Sequence, residues 1–209
     1  MTVSPAPVPT RRSQADRRDH TRAALLESAA RHLSRYGYGN LVLEQVARDA
    51  GYTRGALYYQ FADKQELTEA AIAWVLETWD EEVGHYVAAE TDPVAALLTL
   101  ARRHAVLCRR DLARAPMALR VEFSGQDHPV GAMVEAAYGH LTERCHRLVS
   151  AGRRAGRIPA GAPARVVAQA LVGALEGTTI AMAGQRPYDE EYAARVVTGV
   201  LGLAPEAQR

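Results

Sequence analysis

The densest chemistry in this 209-residue chain lies in "GYTRGALYYQF", residues 51 to 61. Arg54, Tyr58, Tyr59 and Gln60 stand there beside only two large core-type side chains, Leu57 and Phe61. A helix this short has no stability of its own in water, so neighbours must pack its inner face. With Leu57 and Phe61 turned inward, the outer face carries Arg54, Gly55, Tyr58, Tyr59 and Gln60. Exposed aromatic rings call for a partner that covers them. The major groove of duplex DNA suits this face: arginine pairs with guanine, glutamine with adenine, and tyrosine hydroxyls with phosphate oxygens. Gly55 would let the backbone come close.

Other chemistry-bearing groups are thinner. His104 and Cys108 are four apart, and Glu143 and His146 three apart. Either pair could seed a metal site. A helical Glu-x-x-His metal centre, however, needs a second copy of the motif and further glutamates, and one copy is present. These residues therefore read as packed or surface side chains, with no metal and no cofactor expected. No Ser-His-Asp setting, glycine-rich phosphate loop or paired-carboxylate arrangement stands out, so no catalytic residue is expected. The rival reading is an all-helical enzyme or small-molecule carrier whose N-terminal bundle is structural.

Net charge is +1, which says nothing about nucleic acid by itself. Its distribution says more: before residue 64 basic residues outnumber acidic ones, through Arg11, Arg12, Arg17, Arg18, Arg22, Arg31, Arg35, Arg48 and Arg54. A local basic excess is a weak footprint for a phosphate backbone. Lys64 is the only lysine, so a general arginine bias of the chain accounts for part of the excess. Hydrophobic residues make up 48%, enough for a real core. Two cysteines, Cys108 and Cys145, imply no disulfide framework and fit a reducing, cytoplasmic setting. The first twenty residues lack an apolar signal region, and no apolar run is long enough to cross a bilayer.

The elements that must position the reading face are helical throughout, with no alternating strand pattern. Residues 1–20 read as a flexible basic arm, with Pro5, Pro7 and Pro9 opposing a helix. A first helix over 21–36 carries Leu25, Leu26, Ala29, Ala30 and Leu33 on one stripe. A second spans 43–50, closed by Gly51; a third starts at Arg54, capped by Thr53. Asp63 and Glu66 form a capping box for a fourth, reaching about residue 90. Further helices are expected over 93–110, 114–124, 129–155, 163–184 and 189–202. The fold class is all-α: a three-helix domain, 21–66, followed by a larger helical domain, 67–204.

Residues 43–61 have the requirements of a helix-turn-helix: small Ala47 where two helices cross, Gly51 for the sharp turn, and Val46, Ala50, Leu57 and Phe61 facing the first helix. The stretch "TRAALLESAARHLSRYGYGNLVLEQVARDAGYTRGALYYQFADKQEL" resembles the N-terminal domain of the tetracycline-repressor (TetR) family of bacterial transcriptional regulators. The ordered match runs through Ala47, Gly51, Thr53, Gly55, Leu57, Tyr58, Phe61, Lys64 and Leu67. The resemblance implies double-stranded operator DNA as partner. Thr53 would cap the recognition helix and touch phosphate, Arg54 and Tyr59 would read bases, Tyr58 would meet phosphate or a thymine methyl, and Lys64 would grip the backbone. Three positions depart from the family pattern. Leu41 and Val42 lack the hydroxyl that commonly caps the second helix, Glu44 stands where some members offer arginine to a base, and Gln60 replaces a histidine.

Beyond residue 67 the resemblance implies a domain that dimerises and holds a small-molecule effector. Trp74, Trp79, His104, Cys108, Met117, Arg120, Phe123, Met133 and Tyr138 are the candidate pocket residues, with plain core packing the competing reading for each. The apolar helix "ARVVAQALVGALEGTTIAMAG" has a band of small residues, Ala170, Gly173, Ala174, Gly177, Thr178 and Ala181. With Val196, Val197 and Val200 of the last helix it reads as the interface of a homodimer, whose two heads would read a palindrome. The implied function is a repressor released from its operator by an effector that changes the tilt of the fourth helix. No membrane partner is expected.

Overall fold

The computed structural model describes residues 14–182, 185 and 188–204, and all regular structure among them is helical. The first helix, α1, runs Gln14–Tyr36, seven residues earlier than the apolar stripe alone predicts. Residues 14–20 are thus helical rather than part of an arm. Apolar periodicity marks only the stretch where a helix is buried; here an exposed, charged first two turns precede it, with Asp16 favouring the positive helix end. The prolines and Arg11 and Arg12 lie outside the described residues.

Next come α2 (Leu43–Asp49) and α3 (Arg54–Gln60), two seven-residue helices. The fourth helix, α4 (Lys64–Trp79), continues through a π-helical turn at Asp80–Gly84 into α5 (His85–Ala89). Periodicity predicts one helix over this whole span, and the extra residue per turn leaves no sequence mark. Asp63 caps α4 by accepting from Glu66 N at 2.8 Å, while the Glu66 carboxylate accepts from Ala62 N, one residue before the usual capping-box partner. The body then adds α6 (Pro93–Leu107), a 3₁₀ turn (Asp111–Arg114), α7 (Ala115–Glu122), α8 (Pro129–Arg154), α9 (Ala164–Ala181) and α10 (Tyr188–Val200).

Two cores organise these helices. One joins Leu25, Leu33, Val46, Leu57, Phe61 and Leu67 of the N-terminal helices with Leu119, Phe123, Val130 and Val134 of the body. The three-helix head is therefore seated on α7 and the start of α8 by shared apolar burial. The other core, with Leu97, Leu100, Val149, Leu171, Leu175 and Val197, packs α6, α8, α9 and α10. A buried ion pair fixes α10: Arg109 donates from Nε and Nη2 to both oxygens of Asp189, at 2.7 Å each. These bonds hold the Asp189 carboxyl below its ordinary pKa.

Candidate nucleic-acid interface

The recognition face depends first on the turn between α2 and α3. Gly51 adopts φ +80°, the left-handed region open to glycine, and Tyr52 N then donates back to Ala47 O at 2.8 Å. Thr53 follows as the cap of α3, its Oγ1 accepting from Ala56 N at 3.2 Å. Leu57 and Phe61 are buried against Leu25, Leu33 and Val46, which uses up the inner face of α3. Two polar contacts missed by sequence reasoning lock α2 to α1. Ser28 Oγ donates to Val46 O at 2.9 Å, and His32 Nε2 lies 2.8 Å from Asp49 Oδ2. The second contact lowers the pKa of Asp49. The stripe pattern treats both α1 residues as incidental, so nothing in the sequence pointed to them.

The outer face is as exposed as its composition requires. Tyr58 keeps 41% of its surface and Tyr59 75%, so neither ring is packed away on α1. Thr53, Arg54 and Gly55 are also exposed, and Gln60 is half-buried. Guanidinium groups lie against both rings, Arg54 over Tyr58 at 5.2 Å and Arg18 of α1 over Tyr59 at 6.0 Å. Val42, as the N-cap of α2, makes no side-chain capping bond, as its lack of a hydroxyl requires. Glu44 Oε1 forms an ion pair with Arg54 Nε at 3.1 Å. Lys64, at the start of α4, donates to Gly39 O at 3.0 Å and stands 4.5 Å from the Tyr38 ring centre.

That loop, Gly37–Asn40, is gripped from the body. Glu122, the last residue of α7, accepts from Tyr38 N at 2.6 Å and Gly39 N at 2.7 Å. Gly37 takes φ +74°, and a side chain there would run into the Glu122 carboxylate. Tyr38 completes the seat, its ring edge-on to His128 and tilted against Phe123. Farther out, Asp111 pairs with both Arg35 of α1 and Arg114.

Within the body a cavity of about 300 Å³ opens between α4, α6, α8 and α9. Trp79, His104 and Tyr138, three of the expected residues, line it; Leu76, Leu107, Leu141, Arg144 and Leu175 were not foreseen. The spacing of Tyr138, Leu141 and Arg144 along α8 was the available signal. Trp79 Nε1 donates to His104 Nδ1 at 3.1 Å, so His104 carries its proton on Nε2, which faces Cys108 Sγ at 3.5 Å. Cys108 thus stands behind the wall. Arg120 also stands outside it, bonding Glu176 at 3.3 Å with its guanidinium 4.1 Å from the Tyr138 ring centre. Burial first, and then Glu176, raise the Tyr138 pKa. Phe123 belongs to the head core, and Trp74 and Met133 pack against it. Met117 is half-buried away from the cavity lining. Among the described residues no three His, Cys, Asp or Glu side chains gather as a metal site.

On α9, Ala170, Gly173, Gly177 and Ala181 are exposed with Val166 and Ile180, forming an uncovered apolar strip. Ala174, Val196 and Val200 are half-buried. Thr178 and Val197 do not belong to that surface: Thr178 is buried and donates to Ala174 O at 2.7 Å, and Val197 sits in the body core. Successive positions of a helix turn by about 100°, which takes Thr178 off the face that Gly173 and Gly177 share.

A short helix-turn-helix on a three-helix head, carried by an all-helical body with a cavity between its helices, defines the architecture. Residues 25–71 match the model of the family "Bacterial regulatory proteins, tetR family". The chain is 29% identical over 116 residues to the A-factor receptor protein of Streptomyces griseus, covering 54% of this chain and 40% of that protein. It is 40% identical over 60 residues to the transcriptional regulator TtgR of Pseudomonas putida, covering 29% of each. The match thus spans less than half the length of these relatives. The fold agrees over more of the chain. A TetR-family regulator from Streptomyces coelicolor superposes with a TM-score of 0.71 at 21% identity, over 88% of this chain and 95% of that one. AibR, solved with isovaleryl coenzyme A and operator DNA, gives 0.70 at 19% identity, over 88% and 100%. Residues 25–71 thus carry the N-terminal domain of the tetR family, and the chain as a whole shares the fold of these solved regulators.

Proposed function

We propose that the protein is a homodimeric, sequence-specific DNA-binding transcriptional regulator of the bacterial cytoplasm, a repressor released from a palindromic operator by a small molecule. The observation that carries this reading is the division of α3. Its inner side is spent on Leu57 and Phe61, and Thr53, Arg54, Gly55, Tyr58 and Tyr59 are left in solvent with no partner in the chain's own core. In this reading Arg54 and Tyr59 read bases, while Thr53, Tyr58, Gln60 and Lys64 hold phosphates. The AibR complex, which contains both an acyl thioester and operator DNA, supports the pairing of the two activities.

The domains in this reading are a DNA-binding head, 21–66, and an effector-binding and dimerising body, 67–204. One rigid element joins the two sites. Helix α4 begins at Lys64 beside the DNA face and ends at Trp79 in the cavity wall, roughly 22 Å away at the rise of an α-helix. A ligand that binds one tilt of α4 more tightly than the other shifts the population of head positions. Two heads must meet half-sites about 34 Å apart, so a few ångströms of displacement defeats simultaneous docking. The apolar strip on α9, continued by Tyr188 and Tyr192 of α10, is the surface on which a second copy would form the dimer.

The test is a fluorescence-anisotropy titration against duplexes flanking the protein's own coding region. The reading requires nanomolar binding that falls steeply with salt and is relieved by a bound effector. Binding no tighter than to an unrelated duplex would favour the enzyme or carrier reading.

A further inference from the structure

Glu44 is chemically out of place on a surface meant for phosphates. It stands in the first turn of α2 and is part-exposed, on the side where Arg54, Tyr58 and Tyr59 are presented. A carboxylate there opposes the polyanion and forfeits part of the counterion release that drives binding. Protein stability does not account for it, because an exposed ion pair contributes little. Its geometry is specific, however. Oε1 forms an ion pair with Nε of Arg54 at 3.1 Å, and the Arg54 guanidinium lies 5.2 Å from the Tyr58 ring centre. Arg54 thus lies between two neighbours, the Glu44 carboxylate and the Tyr58 ring, and the contact at Nε leaves both Nη groups available as a fork. Beside it the surface is open: a Cβ built on Gly55 would meet only Thr53 Oγ1, at 3.9 Å.

We infer that Glu44 is a specificity-determining residue, which aims the Nη fork of Arg54 at guanine and offers its own second oxygen to the N4 amine of a cytosine in the adjoining pair. The inference rests on the reading that α3 enters the major groove. Guanine presents O6 and N7 to a bidentate donor, and cytosine presents an N4 donor to a carboxylate. The same carboxylate repels the O4 of thymine and the O6 of guanine at that adjoining position. Glu44 therefore trades general affinity for discrimination, and the half-site it selects contains a guanine next to a cytosine-bearing pair.

The experiment is selection from a pool of randomised duplexes with the full-length protein and the variants Glu44→Ala, Glu44→Gln and Arg54→Ala. Thermal melting checks that each variant is folded. The wild type should enrich a motif with a guanine that Arg54→Ala abolishes. Glu44→Ala should lose the neighbouring cytosine and relax the guanine preference by about tenfold, while binding unselected DNA more tightly. Glu44→Gln, whose single amide oxygen can serve only one of the two donors and whose NH2 opposes the other, should fall between them. If Glu44→Ala enriches the wild-type motif unchanged at every position, the inference is wrong and the DNA-binding reading stands. If the wild type enriches no motif, both fail together.

Discussion

Glu122 of α7 accepts hydrogen bonds from two consecutive backbone N–H groups of the head, Tyr38 at 2.6 Å and Gly39 at 2.7 Å. The residue that receives the loop from the body side thus stands two positions from Arg120, which bonds Glu176 in the cavity wall. One face of α7 meets the cavity through Pro116, and its end meets the loop that Lys64 also holds. In the proposed function, a displacement of α7 has a direct mechanical route to the exposed face of α3, parallel to that of α4.

Removing that grip leaves two amides to water or to nothing. Glu122→Ala should destabilise the protein by about 1–3 kcal/mol, the cost of orphaned polar groups, read as a lower midpoint in urea. It should also blunt release of DNA by effector more than it weakens DNA binding. A variant with wild-type stability and full effector response would show that the contact carries no coupling.

Lys64 holds the same loop from the other side, through Gly39 O, and has a small structural role there. Lys64→Ala should weaken binding to all duplexes alike and reduce the salt slope by about one, as expected for one lost phosphate contact. A change confined to one sequence would make Lys64 a base reader instead.

The head core makes a separate demand. Phe61 is buried and fills the space between α3 and α1, so Phe61→Ala should cost about 3–5 kcal/mol. Gly51→Ala meets no neighbour within 4 Å and suffers only from its φ of +80°, so about 1–2 kcal/mol is expected. Denaturant melts of the two variants separate packing from backbone strain by this difference in size.

Acid stability should report the clamp of Arg109, just past the end of α6, on Asp189 of α10. Hydrogen bonds and charge from Arg109 hold the Asp189 carboxyl below its unfolded pKa of about 4. A depressed carboxyl contributes stability that is fully present above the unfolded value and is lost as pH falls through the folded one. Unfolding free energy should therefore drop below about pH 4, and Asp189→Asn should be destabilised at neutral pH with a shallower acid limb. Equal acid limbs in the two proteins would place the loss on other carboxylates, such as Asp111 beside Arg35.

What the sequence made legible was local. Thr53, Gly51, Asp63 and the Leu57/Phe61 pair sit within a few residues of the turns and caps they form, so their spacing reveals them. The exposure of Tyr58 and Tyr59 follows from the same spacing. Glu122 was not legible because its partners are more than eighty positions away in the chain and are backbone amides, which carry no residue type. The contact of His32 with Asp49 was missed for a related reason: a polar residue among the apolar positions of α1 interrupts the pattern without naming its partner, here an exposed carboxylate at the end of α2. The cavity fared in between. Trp79, His104 and Tyr138 are large and distinctive, whereas Phe123, Trp74 and Met133 have the same chemistry but fill the head core. Side-chain type does not tell a lined space from a filled one.

The central claim is that the exposed face of α3 is what touches DNA. The direct measurement is affinity for a selected operator of an Arg54→Ala/Tyr59→Ala double variant, beside a control double variant at exposed body residues, Tyr86→Ala/Val121→Ala. The account predicts that the head variant falls to the level of random duplex, a loss of roughly 10³-fold or more, while the control binds as the wild type does. A head variant that binds the operator as tightly as the control would contradict it.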